Sequence, residues 1–240
     1  MKATDFEFRN RFWIFGLIFG VGFWLYAFDH VNIVQYLVNI TVGANSPHAD
    51  LLARCGLAFA ALLMLLSALL RTWATSYLRS DVMQDHALHA EKVVASGPYR
   101  HVRNPLYLGN ILMAIGMGLL ASRLGFAVIV VGNIVFCLRL IGLEESNLRK
   151  EQGESYIEFC RRVPRLWPSL QPRLPDSGLK PHWGQAFLGE LFMWGFFAAV
   201  VAFAITLSQK ALWFTMAISL FLYIGSSYYI SSRKKSETLS

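Results

Sequence analysis

The sequence predicts an all-α, polytopic membrane helix bundle of about six transmembrane helices, with both termini cytoplasmic. Of its 240 residues, 55% are hydrophobic and only 15% are charged, whereas soluble domains carry about 25% charged residues. This composition excludes a disordered chain, which needs low hydrophobicity and high charge. A water-soluble globule of this length would leave too much apolar surface in water. We therefore expect residues 1–240 to form a single integral-membrane domain.

Six apolar stretches approach the roughly 20 residues that a helix needs to cross the hydrocarbon core of a bilayer. They cover residues 12–28, 51–70, 105–121, 124–142, 186–207 and 211–230. A seventh stretch, 31–42, is too short to span and contains Asn32, Gln35 and Asn39, which favours an interfacial or re-entrant segment. Short polar connections predict that spans three and four, and spans five and six, form antiparallel hairpins.

Basic residues are distributed unequally between the two sides of this arrangement. One side holds both termini and the segments 71–104 and 142–185, and it carries 18 of the 22 Lys and Arg residues. Because cytoplasmic loops are enriched in Lys and Arg, this side is predicted to be cytoplasmic. The net charge of +7 then indicates contact with anionic membrane lipids rather than with nucleic acid.

The first candidate for chemistry is the run S-G-P-Y-R-H-V-R-N-P-L-Y-L-G at residues 96–109. Its Gly-Pro pair indicates a turn, and Pro105 suits the first position of the third span. Aromatic faces and hydrogen-bond donors at the membrane surface come from Tyr99, Tyr107, Arg100 and Arg103. Such residues beside a span are also typical of an interfacial anchor, so this run alone leaves both interpretations open.

The second candidate is an acidic pair, Glu144 and Glu145, at the cytoplasmic end of the fourth span. Carboxylates near anionic lipids are favourable only with cations beside them, and the predicted hairpin brings this pair close to Arg103. Arg139 lies inside the apolar span and therefore needs a partner. We expect carboxylates, guanidinium groups and phenols to meet at one cytoplasmic site, the alternative being ion pairs that only stabilise helix ends.

The third candidate lies at residues 153–168, where G-E-S-Y is followed by R-R-V-P-R-L-W-P. Alone, this segment predicts a membrane-surface helix that ends at Pro164. Together and in this order, the three motifs resemble those of the isoprenylcysteine carboxyl methyltransferase family and the related membrane phospholipid methyltransferases. The matching patterns are G-P-Y-R-x-x-R-[HN]-P-x-Y-x-G, the Glu-Glu pair, and G-E-x-Y followed by V-P-R and a further proline.

The resemblance implies a membrane-embedded methyltransferase that uses S-adenosyl-L-methionine and has no Rossmann domain. By position it implies the following cofactor-binding residues: Gln84, Val93, Val94, Tyr99, Arg100, Asn104, Pro105, Leu106, Tyr107 and Glu144. It also implies that the reacting centre or the acceptor faces Arg103, Glu145 and Arg139. Two positions depart from the family pattern, because Asn104 stands where the family often has His and Phe159 where it usually has a second Tyr.

The family-like catalytic core covers residues 71–168, so the N-terminal span 12–28 and the C-terminal hairpin 186–230 are additions to it. Methyl transfer from a sulfonium needs no metal, and alignment of the reactants supplies up to about 7–11 kcal/mol. Three cysteines without paired spacing likewise predict neither a disulfide scaffold nor a zinc site. A polar cofactor would enter from the cytosol and a lipophilic acceptor from the lipid.

The sequence leaves the methyl acceptor open among a prenylated cysteine, a lipid amine, a sterol-like lipid and a small thiol. Two other functional classes also remain. One is an NADPH-dependent membrane enzyme like the sterol reductases, which share a helical architecture. The other is a non-enzymatic membrane protein. A transporter is disfavoured because the ionisable residues cluster at one face of the bundle rather than at its midplane.

Overall fold

The computed structural model describes residues 1–78 and 96–237, and the regular elements within these ranges are helices. The first part contains α1 (Asp5–Arg9), α2 (Arg11–Trp24), a 3₁₀ turn (Leu25–Ala27), α3 (Ile33–Val42) and α4 (Ala49–Ser76). The second part begins with a 3₁₀ turn (Gly97–Arg100), α5 (Pro105–Gly118), α6 (Arg123–Gln152) and α7 (Glu154–Arg162). It continues with α8 (Trp183–Gly189), α9 (Leu191–Thr206) and α10 (Gln209–Glu237).

Each predicted apolar stretch is helical over most of its length, but not every one of these helices is long enough by itself to cross a bilayer. Among the described residues, α4 and α6 are long and apolar enough to cross a bilayer, and α8 with α9, bent by 60°, makes a third span if the pair is counted as one. Helices α2 and α5 have 14 residues each, about 21 Å at 1.5 Å per residue. This is short of the roughly 30 Å hydrocarbon core, so six spans stay a prediction.

The turn between α5 and α6 explains why the third apolar stretch ends as a helix before residue 121. Asn32 donates from Nδ2 to the carbonyl oxygens of Leu119 at 3.4 Å and Ala121 at 3.1 Å. Ser122 then caps α6 by accepting from the Gly125 backbone N–H at 3.1 Å. The stretch 31–42 forms a ten-residue helix, α3. Asn32, directly before this helix, supplies the side chain that fixes the α5–α6 hairpin.

The core lies where α4, α5 and α9 meet. The buried side chains that these helices contribute include Leu63, Met64, Met113, Met117, Met193 and Val200. On the other side of α5, helix α6 packs closely against α2 because Gly125 faces the carbonyl oxygen of Gly22 with no room for a Cβ atom. The hairpin α5–α6 is therefore clamped between α4 and α2, which holds its free end in a fixed position.

Large hydrophobic side chains also cover the outer faces of the longest helices. On α2, α4 and α6 they include Phe12, Trp13, Leu17, Trp24, Leu62, Leu66, Leu69, Val128, Val131 and Val135. Contiguous apolar surface of this kind is unfavourable in water and is typical of a membrane-facing or partner-facing surface. The outer faces of these helices thus match the hydrocarbon of a bilayer, in agreement with an integral membrane protein.

Candidate active site

The α5–α6 hairpin brings the first two sequence motifs into direct contact. Tyr107, in the first turn of α5, donates its hydroxyl hydrogen to Glu144 Oε1 on α6 at 2.6 Å. Both side chains line one continuous cavity of about 2430 Å³. Four further residues of the predicted cofactor site line the same cavity: Tyr99, Asn104, Pro105 and Leu106. The predicted proximity of Glu144 to the first motif is confirmed by the hydrogen bond.

The neighbouring carboxylate, Glu145, joins all three motifs. It is 6% exposed, and its Oε1 lies 3.5 Å from Arg103 Nη2 and accepts from Asn104 Nδ2 at 3.2 Å. Its Oε2 lies 3.1 Å from Arg165 Nε in the third motif. The Asn104 amide also donates to the Arg165 carbonyl oxygen at 3.1 Å. Asn104, where the family often has His, thus serves here as a hydrogen-bond bridge between the first and third motifs.

Arg103 lies on the boundary between two cavities. It lines the large cavity that contains Glu144, and it also lines a smaller one of about 570 Å³. The smaller cavity is rich in basic side chains, which come from Lys2, Arg103, Arg149, Lys150 and Arg165, with Glu145 as the acidic residue among them. The two adjacent carboxylates therefore face different spaces, Glu144 the large cavity and Glu145 the small basic one.

Tyr99 supplies a neutral aromatic group to the large cavity. Burial raises the pKa of the Tyr99 phenol well above its usual value, and the negative charge of Glu144 raises it further. The positive charge of Arg71 lowers this pKa, but by less. The hydroxyl therefore stays protonated at neutral pH. It offers one donor hydrogen and an aromatic face rather than a charge.

The third motif folds back over the first one instead of extending away from it. The backbone N–H of Arg103 donates to the Pro164 carbonyl oxygen at 2.9 Å, and that of Ser169 donates to the His101 carbonyl oxygen at 2.9 Å. Arg100 fastens the end of this segment, since its Nε donates to the Leu174 carbonyl oxygen at 2.8 Å. Arg100 thus anchors the segment and is not among the residues that line the large cavity.

Arg139 also lies apart from the group around Glu145, because it has a partner at the other end of the chain. Its Nη2 lies 2.7 Å from Glu7 Oε2 and its Nε donates to Glu7 Oε1 at 3.1 Å. The Ala3 backbone N–H donates to the Arg139 carbonyl oxygen at 2.9 Å. The intramembrane arginine therefore attaches α1 to α6, and it is not brought to the predicted reacting centre.

This ion pair predicts a pH-dependent contribution to stability. The hydrogen bond from Arg139, and then that from the Thr4 backbone N–H, lowers the pKa of Glu7 to about 2. A carboxyl group whose pKa is lower in the folded state stabilises the fold above its unfolded pKa, and this stabilisation is lost as the pH falls toward the folded pKa. The unfolding midpoint of Glu7→Gln in detergent should lie below that of the wild type by a constant amount from pH 7 to about 5, and the gap should close toward pH 2. A gap that persists unchanged at pH 3 would contradict the role of the ion pair.

Among the residues that line the large cavity without being predicted from the sequence are Arg71 on α4 and Glu190 between α8 and α9. They form a two-point ion pair, with Arg71 Nε 2.7 Å from Glu190 Oε2 and Nη2 2.9 Å from Oε1. The sequence gives one indication of this ion pair. Glu190 lies inside the apolar stretch 186–207, where a charged side chain requires a partner. Three predicted cofactor residues, Gln84, Val93 and Val94, lie outside the described residues.

Comparison with known proteins finds similarity over the middle of the chain. Residues 55–155 match the sequence model of the phospholipid methyltransferase family. The chain is also 25% identical over 124 residues to the nickel-cobalt-cadmium resistance protein NccN of Alcaligenes xylosoxydans xylosoxydans, across 51% of this chain and 58% of that protein. The chain thus spans a little over half the length of this relative. No solved structure matches the chain.

The matched region contains α5 and α6 in full, most of α4, and both Tyr107 and the Glu144–Glu145 pair. It therefore contains the Tyr107–Glu144 hydrogen bond and the Arg103–Glu145 ion pair described above. The resemblance seen in the sequence is confirmed by this family match. Residues 55–155 of this chain thus match the phospholipid methyltransferase family, the membrane methyltransferases related to the isoprenylcysteine carboxyl methyltransferases.

Proposed function

We propose that this protein transfers a methyl group from S-adenosyl-L-methionine to a lipophilic acceptor, as isoprenylcysteine carboxyl methyltransferases do. One observation carries the proposal: three motifs that are distant in sequence converge at the free end of the α5–α6 hairpin. The Tyr107–Glu144 hydrogen bond joins the first and second motifs, and Glu145 joins these to Arg165 in the third. Helix-end ion pairs alone would not require phenol, amide, carboxylate and guanidinium groups around one cavity.

The residues around the large cavity fit the chemical groups of this cofactor. Adenine needs an aromatic or apolar face, and Tyr99 and Tyr107 line the cavity as such faces. An amino group and ribose hydroxyls need an acceptor, and the Glu144 carboxylate lines the same cavity. A carboxylate needs a guanidinium or amide donor, and Arg103 and Asn104 also line the cavity. The lining thus offers partners for the adenine face, for the amino and hydroxyl groups and for the carboxylate of the cofactor.

When bound, S-adenosyl-L-methionine supplies a methyl group on a positively charged sulfur. The chain's own residues then orient the reactants and exclude water, and they need not exchange protons. Tyr107 holds the Glu144 carboxylate in one orientation through its 2.6 Å hydrogen bond. Glu145 likewise holds the Arg103 guanidinium in one orientation through their ion pair, and the Arg103 side chain is only 10% exposed. Such preorganised groups favour a fixed alignment of the reactants, which is the largest contribution available to a displacement of this kind.

The apolar part of the same cavity supports a lipophilic acceptor. Its lining also includes aromatic and methionine side chains, among them Phe15, Phe19, Phe23, Met113 and Met117. The total volume of about 2430 Å³ exceeds the roughly 300–1,000 Å³ of a typical small-molecule pocket. A space of this size, with both polar and apolar lining, can accommodate a polar cofactor together with an extended apolar molecule.

Isothermal titration calorimetry on the purified protein in detergent tests this proposal. S-adenosylhomocysteine, the demethylated product, is expected to bind with a stoichiometry near one, and NADPH is expected not to bind. Binding of NADPH alone would point to the reductase alternative and would overturn the proposal. Binding of neither ligand would favour a non-enzymatic membrane protein and would overturn it as well.

A further inference from the structure

The C-terminal hairpin α8–α10 lies outside the family region, yet one of its residues enters the wall of the large cavity. Glu190 stands at the 60° bend between α8 and α9, and it is 2% exposed. Its carboxylate forms the two-point ion pair with Arg71 and also accepts from Thr75 Oγ1 at 2.8 Å. A buried carboxylate with three donors is fully compensated, and its geometry is fixed.

Further hydrogen bonds fasten the hairpin to the same end of α4. Trp194 Nε1 donates to Thr72 Oγ1 at 3.0 Å, and the His182 backbone N–H donates to the Ser76 carbonyl oxygen at 2.7 Å. Along the hairpin, Glu190 and its contacts lie between His182 and Trp194. The hairpin is therefore attached to the last two turns of α4 along a continuous polar seam, in the half of the bundle that carries the candidate site.

Arg71 transmits this attachment to α5. Its Nη1 donates to Asn110 Oδ1 at 2.7 Å and lies 3.4 Å from the Leu106 carbonyl oxygen. These two residues lie on either side of Tyr107 in the sequence. The Arg71 side chain reaches them only because Gly109 has no Cβ atom, since a Cβ there would overlap Arg71 Cγ. The glycine that ends the first motif thus makes room for this arginine.

From this chain of contacts we infer that Glu190 is a positioning residue for the candidate active site. It holds Arg71, and Arg71 fixes the first two turns of α5, which carry Tyr107 and follow directly on Asn104. The inference rests on the proposed function, because it assigns an effect on ligand binding to a residue that need not touch the ligand. The C-terminal hairpin then contributes to ligand binding at the site, although it lies outside the family region.

Calorimetric titration with S-adenosylhomocysteine separates positioning from a purely structural role. The informative variant is Arg71→Met with Glu190→Met, which removes both charges and leaves no unpaired ion in the core. It should retain the wild-type unfolding midpoint within a few degrees but bind about tenfold more weakly. Glu190→Asp, which keeps the carboxylate, should retain most of the affinity. Glu158→Gln, at an exposed ion pair on α7, is the matched control and should match the wild type.

The titration reports Kd and the fraction of competent protein separately, so a variant that folds poorly remains informative. A structural role lowers the number of binding sites and leaves Kd unchanged, and that result overturns the inference. A raised Kd at normal stoichiometry supports it. If the wild-type protein itself binds no S-adenosylhomocysteine, the proposed function fails. Wild-type binding with an unchanged Kd in the double variant overturns the positioning role alone.

Discussion

Replacing Glu144 by alanine should lower both S-adenosylhomocysteine affinity and methyl transfer by about 100-fold or more. The variant loses the 2.6 Å hydrogen bond from Tyr107 and the acceptor that we assign to the cofactor's amino or hydroxyl groups. Hydrogen bonds to charged groups contribute about 1.5–3 kcal/mol each, and about 1.4 kcal/mol corresponds to a tenfold change in binding. Calorimetric Kd values and initial rates at saturating acceptor check this expectation.

Two further variants define the origin of that loss. Tyr107→Phe keeps the carboxylate and removes one hydrogen bond, so its effect should be about tenfold. Glu158→Gln removes a carboxylate from an exposed helix surface, where it pairs with Arg161 and Arg162, and should change neither parameter. If Glu144→Ala binds S-adenosylhomocysteine as tightly as the wild type, Glu144 is not part of the cofactor site.

Replacing Glu145 by glutamine should destabilise the protein strongly. Its side chain is 7% exposed and lies between the guanidinium groups of Arg103 and Arg165. Removing one member of a buried ion pair leaves an uncompensated charge, at a cost of about 3–5 kcal/mol. We expect this loss in the free energy of unfolding measured with denaturant in detergent, together with a large decrease in methyl transfer.

Arg165→Gln provides the contrast, because the Arg165 side chain is 40% exposed. A partly solvated ion pair contributes only about 0–1 kcal/mol, so this variant should remain folded. Since Arg103 keeps its carboxylate partner in this variant, the site around Asn104 should also be largely preserved. Equal destabilisation by Glu145→Gln and Arg165→Gln would show that the buried Arg103–Glu145 pair does not account for most of the stability lost with Glu145.

Local sequence patterns are sufficient to predict the contacts made within the α5–α6 hairpin. Antiparallel neighbours joined by a short turn meet at their free ends, so the approach of Tyr107 to Glu144 follows from the hairpin alone. The third motif is harder to place, because a basic and aromatic segment fits either lipid headgroups or the protein. The backbone hydrogen bond from Arg103 to Pro164 shows that it folds back over the first motif.

Contacts between segments that are distant in the sequence cannot be predicted from local sequence patterns. Arg139 is evident as an intramembrane charge that needs a partner, but nothing local identifies Glu7, which is 132 residues away. Glu190 lies 119 residues from Arg71, and neither belongs to a motif. Helix lengths also differ from the prediction, because hydrophobicity does not show where Asn32 ends the α5 stretch or where Glu190 bends the α8–α9 stretch.

Transfer of tritium from methyl-labelled S-adenosyl-L-methionine by the purified protein is the decisive experiment on function. The acceptors should be fractionated native lipids and, in parallel, small thiols. We predict that the wild-type protein labels an organic-extractable product from at least one of these fractions and that Glu144→Ala does so at about one hundredth of the rate or less. No labelled product from any fraction, or equal labelling by the wild type and Glu144→Ala, would contradict the assignment of methyltransferase activity to this site.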